Sequence, residues 1–386
     1  MSGRDPFCQP PRVRRGAALT LVFASVLVAG AATGNLPGSG RGTASDEARP
    51  ATPAGQHTAV TRAAEEAVAD GTSPVEAAER AVSRSGDRWA AVYSPGEYEE
   101  FEEALDGRYT GVGLWARARN GRIEVTKVGS GTPAADAGIR VGDRLRSVDG
   151  EKVDGRPVTE VVSLLRGDGT GESAGTTVRL GLERGTRAWS ETLRRARLSR
   201  DTVTVRDIAD RVTVVEVAAF TKGSGDEVRT AVRRAPAGAG IVLDLRGNSG
   251  GLVAEAVTAA SAFLDGGLVA TYDVEGEQRA LHAEPGGDTT RPLVALVDGG
   301  TMSAAELLTG ALQDRGRAVV VGSRTFGKGS VQMPTPLPDG SVAELTVGHY
   351  RTPSGRSVDG RGLTPDLEAD DEALERAETV LSGLGR

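Results

Sequence analysis

Cysteine is almost missing from this 386-residue chain: Cys8 is the only one, so nothing beyond it can form a disulfide or a thiolate metal site. Histidine is nearly as scarce. His57, His282 and His349 are the full set, none with metal-ligand spacing and none in a segment shaped like an active-site turn. Aromatic residues make up 4% of the chain, which leaves its core to valine, leucine and alanine. Positive charge is also in deficit. The formal net charge is −7, and it becomes −10 when residues 1–31, with four arginines and one aspartate, are set aside. That balance argues against a nucleic acid or an anionic membrane surface as partner. No glycine-rich stretch both follows a strand and opens a helix with the later acid of a dinucleotide site, so neither metal nor cofactor is expected.

Long apolar runs are absent except at the start. Residues 16–40 carry no charge, and their apolar heart, 17–32, follows Arg12, Arg14 and Arg15. This reads as an export segment with small residues at Ala29, Gly30 and Ala31 for cleavage. The apolar heart is short for a span of about 20 residues, which favours a cleaved signal peptide over a retained anchor. Cys8 precedes the run and is not placed as a lipoprotein cysteine. Either outcome puts the bulk of the chain outside the cytoplasm.

The chemistry that is present concentrates in residues 299–332. PLVALV at 292–297 reads as a short strand, the Asp-Gly-Gly that follows as a turn, and 303–312 as a helix with Ala304, Leu307, Leu308, Ala311 and Leu312 on its apolar spacing. Ser303 therefore falls at a strand-to-helix turn, where a hydroxyl can project into a cleft and helix amides can face developing negative charge. A serine hydroxyl needs a base. Lys328, flanked by glycines, is the candidate, because desolvation moves a lysine toward neutrality near physiological pH. In an extended segment positions 328, 330 and 332 share a face, so Gln332 is expected to orient the amine. Upstream, IVLDLRGNSGG at 241–251 is an apolar strand ending in a glycine-rich turn, whose backbone N–H groups can approach a substrate carbonyl. Taken singly, each residue has a plainer reading: Ser303 as an N-cap, Lys328 as a solvated loop residue, Gln332 as a surface amide, the glycines as a tight turn. Glu306, one turn after Ser303, could tune the site, and its plainer reading is helix support or a charge partner.

Together the blocks are specific. TMSAAELLTGALQDRGRAVVVGSRTFGKGSVQ, with DLRGNSGG at 244–251 and YRTPSGRSVDGRGLTPD at 350–366, resembles the C-terminal processing peptidases, or tail-specific proteases. The resemblance runs roughly from Pro74 to Leu367 and includes a PDZ-like insert. It implies Ser303 as nucleophile, Lys328 as general base and Gln332 as the residue positioning the lysine. It also implies an oxyanion hole from the N–H of Ala304 and one from Gly250 or Gly251, with Gly250 favoured. Met302 and Ser249 stand where the family usually has a small residue and often proline, departures that bear on substrate fit. The implied fold is α/β: a ClpP/crotonase-like protease core of mixed sheet and helices, an inserted PDZ-like domain and an N-terminal helical region.

The expected organisation is an export segment (1–34), a Gly/Pro/Ala-rich linker (35–56), a helical region (57–107), the PDZ-like domain (108–199), the core (200–372) and a tail (373–386). Within the insert, Gly111, Val112, Gly113 and Leu114 are expected to receive the terminal carboxylate of a peptide tail. The resemblance thus implies an exported serine endopeptidase that cleaves proteins presented by their C-terminal tails through a Ser-Lys acyl-enzyme, with subunits joined through the N-terminal helices. The competing readings are a non-catalytic PDZ adaptor, which binds tails without turnover, and acyl transfer on a non-peptide substrate.

Overall fold

The computed structural model describes residues 53–167, 174–208, 211–274, 277–370 and 372–384. The expected export segment and all but the end of the expected linker lie outside them. Among the described residues no helix is long and apolar enough to cross a membrane.

The core is built on a six-stranded sheet in the order Val203–Ile208, Val212–Val217, Gly240–Asp244, Leu293–Val297, Val319–Gly322 and Leu367–Glu368. Only the first pair is antiparallel. Strands Gly240–Asp244 and Leu293–Val297 are buried along their whole length, as continuous apolar runs in a parallel sheet must be. Alternate residues serve opposite faces. Ile241, Leu243, Ala295 and Val297 pack with helices Ser224–Arg234, Val253–Ala260 and Ala304–Asp314, while Val242, Val294 and Leu296 pack with helix Ala373–Leu384. The expected α/β architecture is therefore present, with helices on both faces of the sheet.

A second sheet orders Ala91–Tyr93, Val342–Arg351, Leu268–Val274 and Glu277–His282, with Ser330–Pro336 also paired to Val342–Arg351. Its Val92, Ala343 and Leu345 pack in one cluster with residues of helices Pro53–Ala69 and Pro74–Ser85. The second helix starts where the sequence punctuates it. The Ser73 side chain accepts from the Glu76 N–H, Pro74 fills the first turn and Gly86 closes the helix at φ 76°.

The insert has its own sheet, in the order Leu114–Arg119, Arg122–Val128, Arg144–Val148, Thr177–Arg184 and Arg187–Arg194, around a core of Ile123, Val125, Leu145, Val178, Leu180 and Leu182. Helix Val158–Arg166 is held at its C-terminal end by buried Arg195, whose guanidinium donates to the carbonyls of Leu164 and Leu165 at 3.0 and 2.9 Å. A two-stranded ribbon, Arg108–Gly111 against Ala196–Ser199, carries the chain into and out of the insert.

Candidate active site

Three adjacent parallel strands end side by side, in registers that pair Asp244 with Leu296 and Val297 with Gly322. Each then turns into one of the segments singled out in the sequence. Ligand sites in open α/β sheets collect at such strand ends. Asp298 ties the first two turns together, its Oδ1 accepting from the N–H groups of Gly247 and Gly300, both at 2.8 Å. The Met302 N–H donates to the Asn248 carbonyl at 2.8 Å, and Thr301 Oγ1 donates to the Leu245 carbonyl at 2.9 Å.

Ser303 leaves this turn with φ 52° and ψ −118°. A non-glycine residue pays for that conformation, so its surroundings must impose it. Part of the constraint is Tyr350, whose hydroxyl donates to the Ser303 carbonyl at 3.1 Å. The rest is Glu306, which is fully buried. Its Oε2 accepts from the N–H of Ser303 at 3.0 Å and of Lys328 at 2.9 Å; its Oε1 accepts from the Gly327 N–H at 2.7 Å and the Thr325 hydroxyl at 2.5 Å. Burial outweighs these bonds and raises the pKa of this carboxyl. Glu306 is thus more than helix support: one carboxylate clamps the serine turn and the lysine loop together. The sequence signal for it was only its place three residues after Ser303.

Lys328 is half-buried, and its Nζ lies 5.4 Å from the centroid of the Trp89 ring. Burial lowers the pKa of its amine, while the charges of Glu344 and Asp87 raise it in opposition. Gln332 donates its amide to the Trp89 carbonyl at 3.5 Å and to Ser330 Oγ at 3.2 Å. Lysine and glutamine therefore meet at Trp89 rather than at each other. Among the described residues no hydrogen bond joins the Lys328 amine to Ser303 or to Gln332. The extended-strand expectation started too early in the chain. The strand begins at Ser330, and the N–H groups of Lys328 and Gly329 go to Glu306 and Asp359 instead of a ladder.

The glycine turn alters one expectation. A Cβ on Gly250 would stand 3.0 Å from the Ser303 Cβ and 3.2 Å from the Ala304 nitrogen, so this glycine lies directly against the serine turn. Its N–H, however, donates to Asn248 Oδ1 at 2.8 Å, while the Asn248 amide donates to the Val217 carbonyl at 2.8 Å. The favoured oxyanion donor is thereby already engaged. The N–H groups of Gly251 and Ala304 donate to no protein acceptor among the described residues. Asp244, buried beneath this turn, forms a two-pronged pair with Arg246 at 2.8 and 2.6 Å, a brace that sequence reading did not single out.

In the insert, Gly113 has φ 81° and a Cβ there would stand 2.2 Å from the Thr132 Cβ, so only glycine fits. The Val112 and Gly113 carbonyls accept from Ala134 and Gly129 at 2.9 Å, which fixes the loop. The N–H groups of Val112 and Gly113 have no protein acceptor among the described residues. They adjoin strand Leu114–Arg119, an edge of its sheet facing helix Val158–Arg166. The histidines stay apart from this chemistry: among the described residues no hydrogen bond or ion pair links one to Ser303, and His57 contacts Thr335 Oγ1 at 3.4 Å.

Comparison with known proteins agrees with this layout. Residues 211–369 match peptidase family S41, and residues 124–180 match the PDZ domain. Carboxyl-terminal-processing peptidase 3, chloroplastic, of Arabidopsis thaliana is 34% identical over 308 residues, covering 74% of this chain and 58% of the relative. Carboxy-terminal processing protease CtpA of Bacillus subtilis (strain 168) is 30% identical over 289 residues, covering 74% of this chain and 61% of the relative. The chain thus spans about three fifths of the length of these curated relatives, at 58% and 61%. Among solved structures, a photosystem II D1 C-terminal processing protease is 27% identical with a TM-score of 0.52, covering 86% of this chain and 97% of that one. With an S41 match across the parallel core, a PDZ match inside the insert and relatives of one kind along most of its length, this chain belongs to the carboxyl-terminal processing peptidases of family S41.

Proposed function

We propose that this chain is an exported serine endopeptidase that cleaves proteins presented by their C-terminal tails, with Ser303 as nucleophile and Lys328 as general base. The observation that carries this reading is the shared acceptor at Glu306. Because the N–H groups of Ser303 and Lys328 end on the same oxygen, their backbones are held close while the lysine's four-carbon stem stays free to turn. In the reactive arrangement the Lys328 amine leaves the Trp89 ring for Ser303. Ser303 Oγ attacks the scissile carbonyl carbon and its proton passes to the amine. The oxyanion is received by the N–H groups of Ala304 and Gly251, neither of which has a protein acceptor among the described residues, while Gly250 supplies clearance. The lysine then gives its proton to the departing amine, leaving an acyl ester on Ser303. Water attacks that ester with the same lysine as base, and the enzyme is restored.

The insert supports presentation of a tail. An extended peptide would add to edge strand Leu114–Arg119 and place its carboxylate at the N–H groups of Val112 and Gly113. Export rests on the sequence alone, on the apolar residues 17–32 behind Arg12, Arg14 and Arg15.

Incubating the purified chain and its Ser303→Ala and Lys328→Ala variants with casein, and following fragments by mass spectrometry, tests the reading. Cleavage by the parent and by neither variant is expected. Cleavage by a folded variant would sink the dyad, and tail binding without turnover by the parent would favour the adaptor.

A further inference from the structure

Lys328 is the half of the dyad whose charge decides whether it can act, and its amine lies over the Trp89 ring, with no hydrogen bond to Ser303 among the described residues. Strand Val342–Arg351 pairs on one side with Ala91–Tyr93 and on the other with Ser330–Pro336, so that Glu344 stands opposite both Ala91 and Pro334. It therefore lies between the segment that bears Trp89 and the one that follows Lys328. Its strand neighbours Ala343 and Leu345 pack toward the N-terminal helices, which turns the half-buried Glu344 to the other face.

The Trp89 ring is fixed in this place. The Trp89 backbone N–H donates to Asp87 Oδ1 at 3.0 Å and its carbonyl accepts from Gln332 at 3.5 Å. Phe326 packs against the ring at 5.7 Å between centroids, and the Arg88 guanidinium sits 4.7 Å from its centroid. Asp87 is in turn bound by the Thr346 N–H and hydroxyl, at 3.1 and 3.0 Å. An aromatic face and a carboxylate both attract an ammonium and do little for a neutral amine. Both features thus favour the form of Lys328 that cannot accept the serine proton.

We propose that Glu344 and the Trp89 ring form a second seat for the Lys328 amine, and that Glu344 is a positioning residue which sets the pH at which the lysine becomes available to Ser303. The proposal rests on the Ser-Lys reading of the site. The charged and titratable groups around the seat are few. Lys328 and Asp87 flank it, Tyr93 and Tyr98 feel the Glu344 charge, and Glu97 and Glu102 act on those tyrosines. Arg88 is committed to Asp359 at 3.3 Å. Burial lifts the Glu344 carboxyl from the ordinary 4.5 to about 7, against the pull of Lys328.

The test is the pH profile of casein cleavage at sub-saturating substrate, for the whole chain and its Glu344→Gln and Glu344→Asp variants. Removing the carboxylate withdraws support from the ammonium, so the acid limb of Glu344→Gln should move to lower pH by about one unit, roughly tenfold faster cleavage on that limb. Glu344→Asp should stay near the parent. A second readout needs no activity. The chain has four lysines, so reductive methylation with a carbon-13 label gives few side-chain signals, and Lys328→Ala identifies the one of interest. Its titration should move with the acid limb in Glu344→Gln, and also in Trp89→Leu, which probes the seat should Glu344→Gln not fold. An unmoved limb and an unmoved lysine titration, with Ser303→Ala and Lys328→Ala inactive, would overturn the seat and leave the dyad intact. Activity in either of those variants would instead bring down the dyad, and the lysine titration would still decide the seat.

Discussion

Replacing Glu306 by Gln changes one atom in a fully buried group and forces a choice between two costs. If the new amide nitrogen takes the place of Oε2, the N–H groups of Ser303 and Lys328 both face a donor. If it takes the place of Oε1, the Thr325 hydroxyl can turn to accept, but the Gly327 N–H is left facing the amide. The second orientation is cheaper. Leaving one buried donor unpaired costs about 1–3 kcal/mol, so urea unfolding should show a loss of that size, and a larger one for Glu306→Ala, which removes the acceptor for all four donors. The loss should reach activity as well, because Ser303 keeps its φ of 52° only while its N–H and carbonyl are held. Cleavage should therefore fall in Glu306→Ala, and far less in Glu306→Gln, whose cheaper orientation keeps the oxygen that holds the Ser303 N–H. A folded Glu306→Ala protein with the parent's unfolding free energy and turnover would refute the clamp.

Two further outcomes are expected. Gly250→Ala places a Cβ 3.0 Å from both the Met302 carbonyl oxygen and the Ser303 Cβ at a φ of 101°, so it should lose about 1–3 kcal/mol in urea unfolding and most of its casein cleavage; parental values would show that the turn has room. Glu344 should make stability fall as pH rises. Between 4.5 and about 7 the folded state keeps a proton that the unfolded chain has released, so up to about 3 kcal/mol is lost across that window. Glu344→Gln has no such slope, and a difference from the parent that stays constant between acid and neutral pH would contradict the burial of this carboxyl.

Much of the molecule was legible where one local pattern decides. Ser73 and Pro74 mark the start of their helix because capping chemistry acts within a few residues. The runs at 240–244 and 293–297 declare buried strands because both their faces are apolar. Ser303 stood out because three motif blocks coincide in order and spacing. What escaped reading depends on distant segments folding back. Glu306 has the sequence of a helix-start carboxylate, and its role appears only when residues 325–328 return to it. Gln332 finds Trp89, more than two hundred residues earlier, through a sheet whose Ala91–Tyr93 strand is only 3 residues long. The engagement of the Gly250 amide was within reach, since an asparagine side chain often binds the backbone two residues on.

The ribbon between core and insert has an architectural consequence. Because Gly111 pairs with Ala196, the two ends of the insert lie one strand spacing apart, about 4.8 Å. Joining them by a two-residue hairpin turn would remove the whole insert without rerouting a single strand of the core. The insert is thus wired in parallel with the core, and a single deletion or exchange at this rung would remove or swap it while the core sheet stays in place.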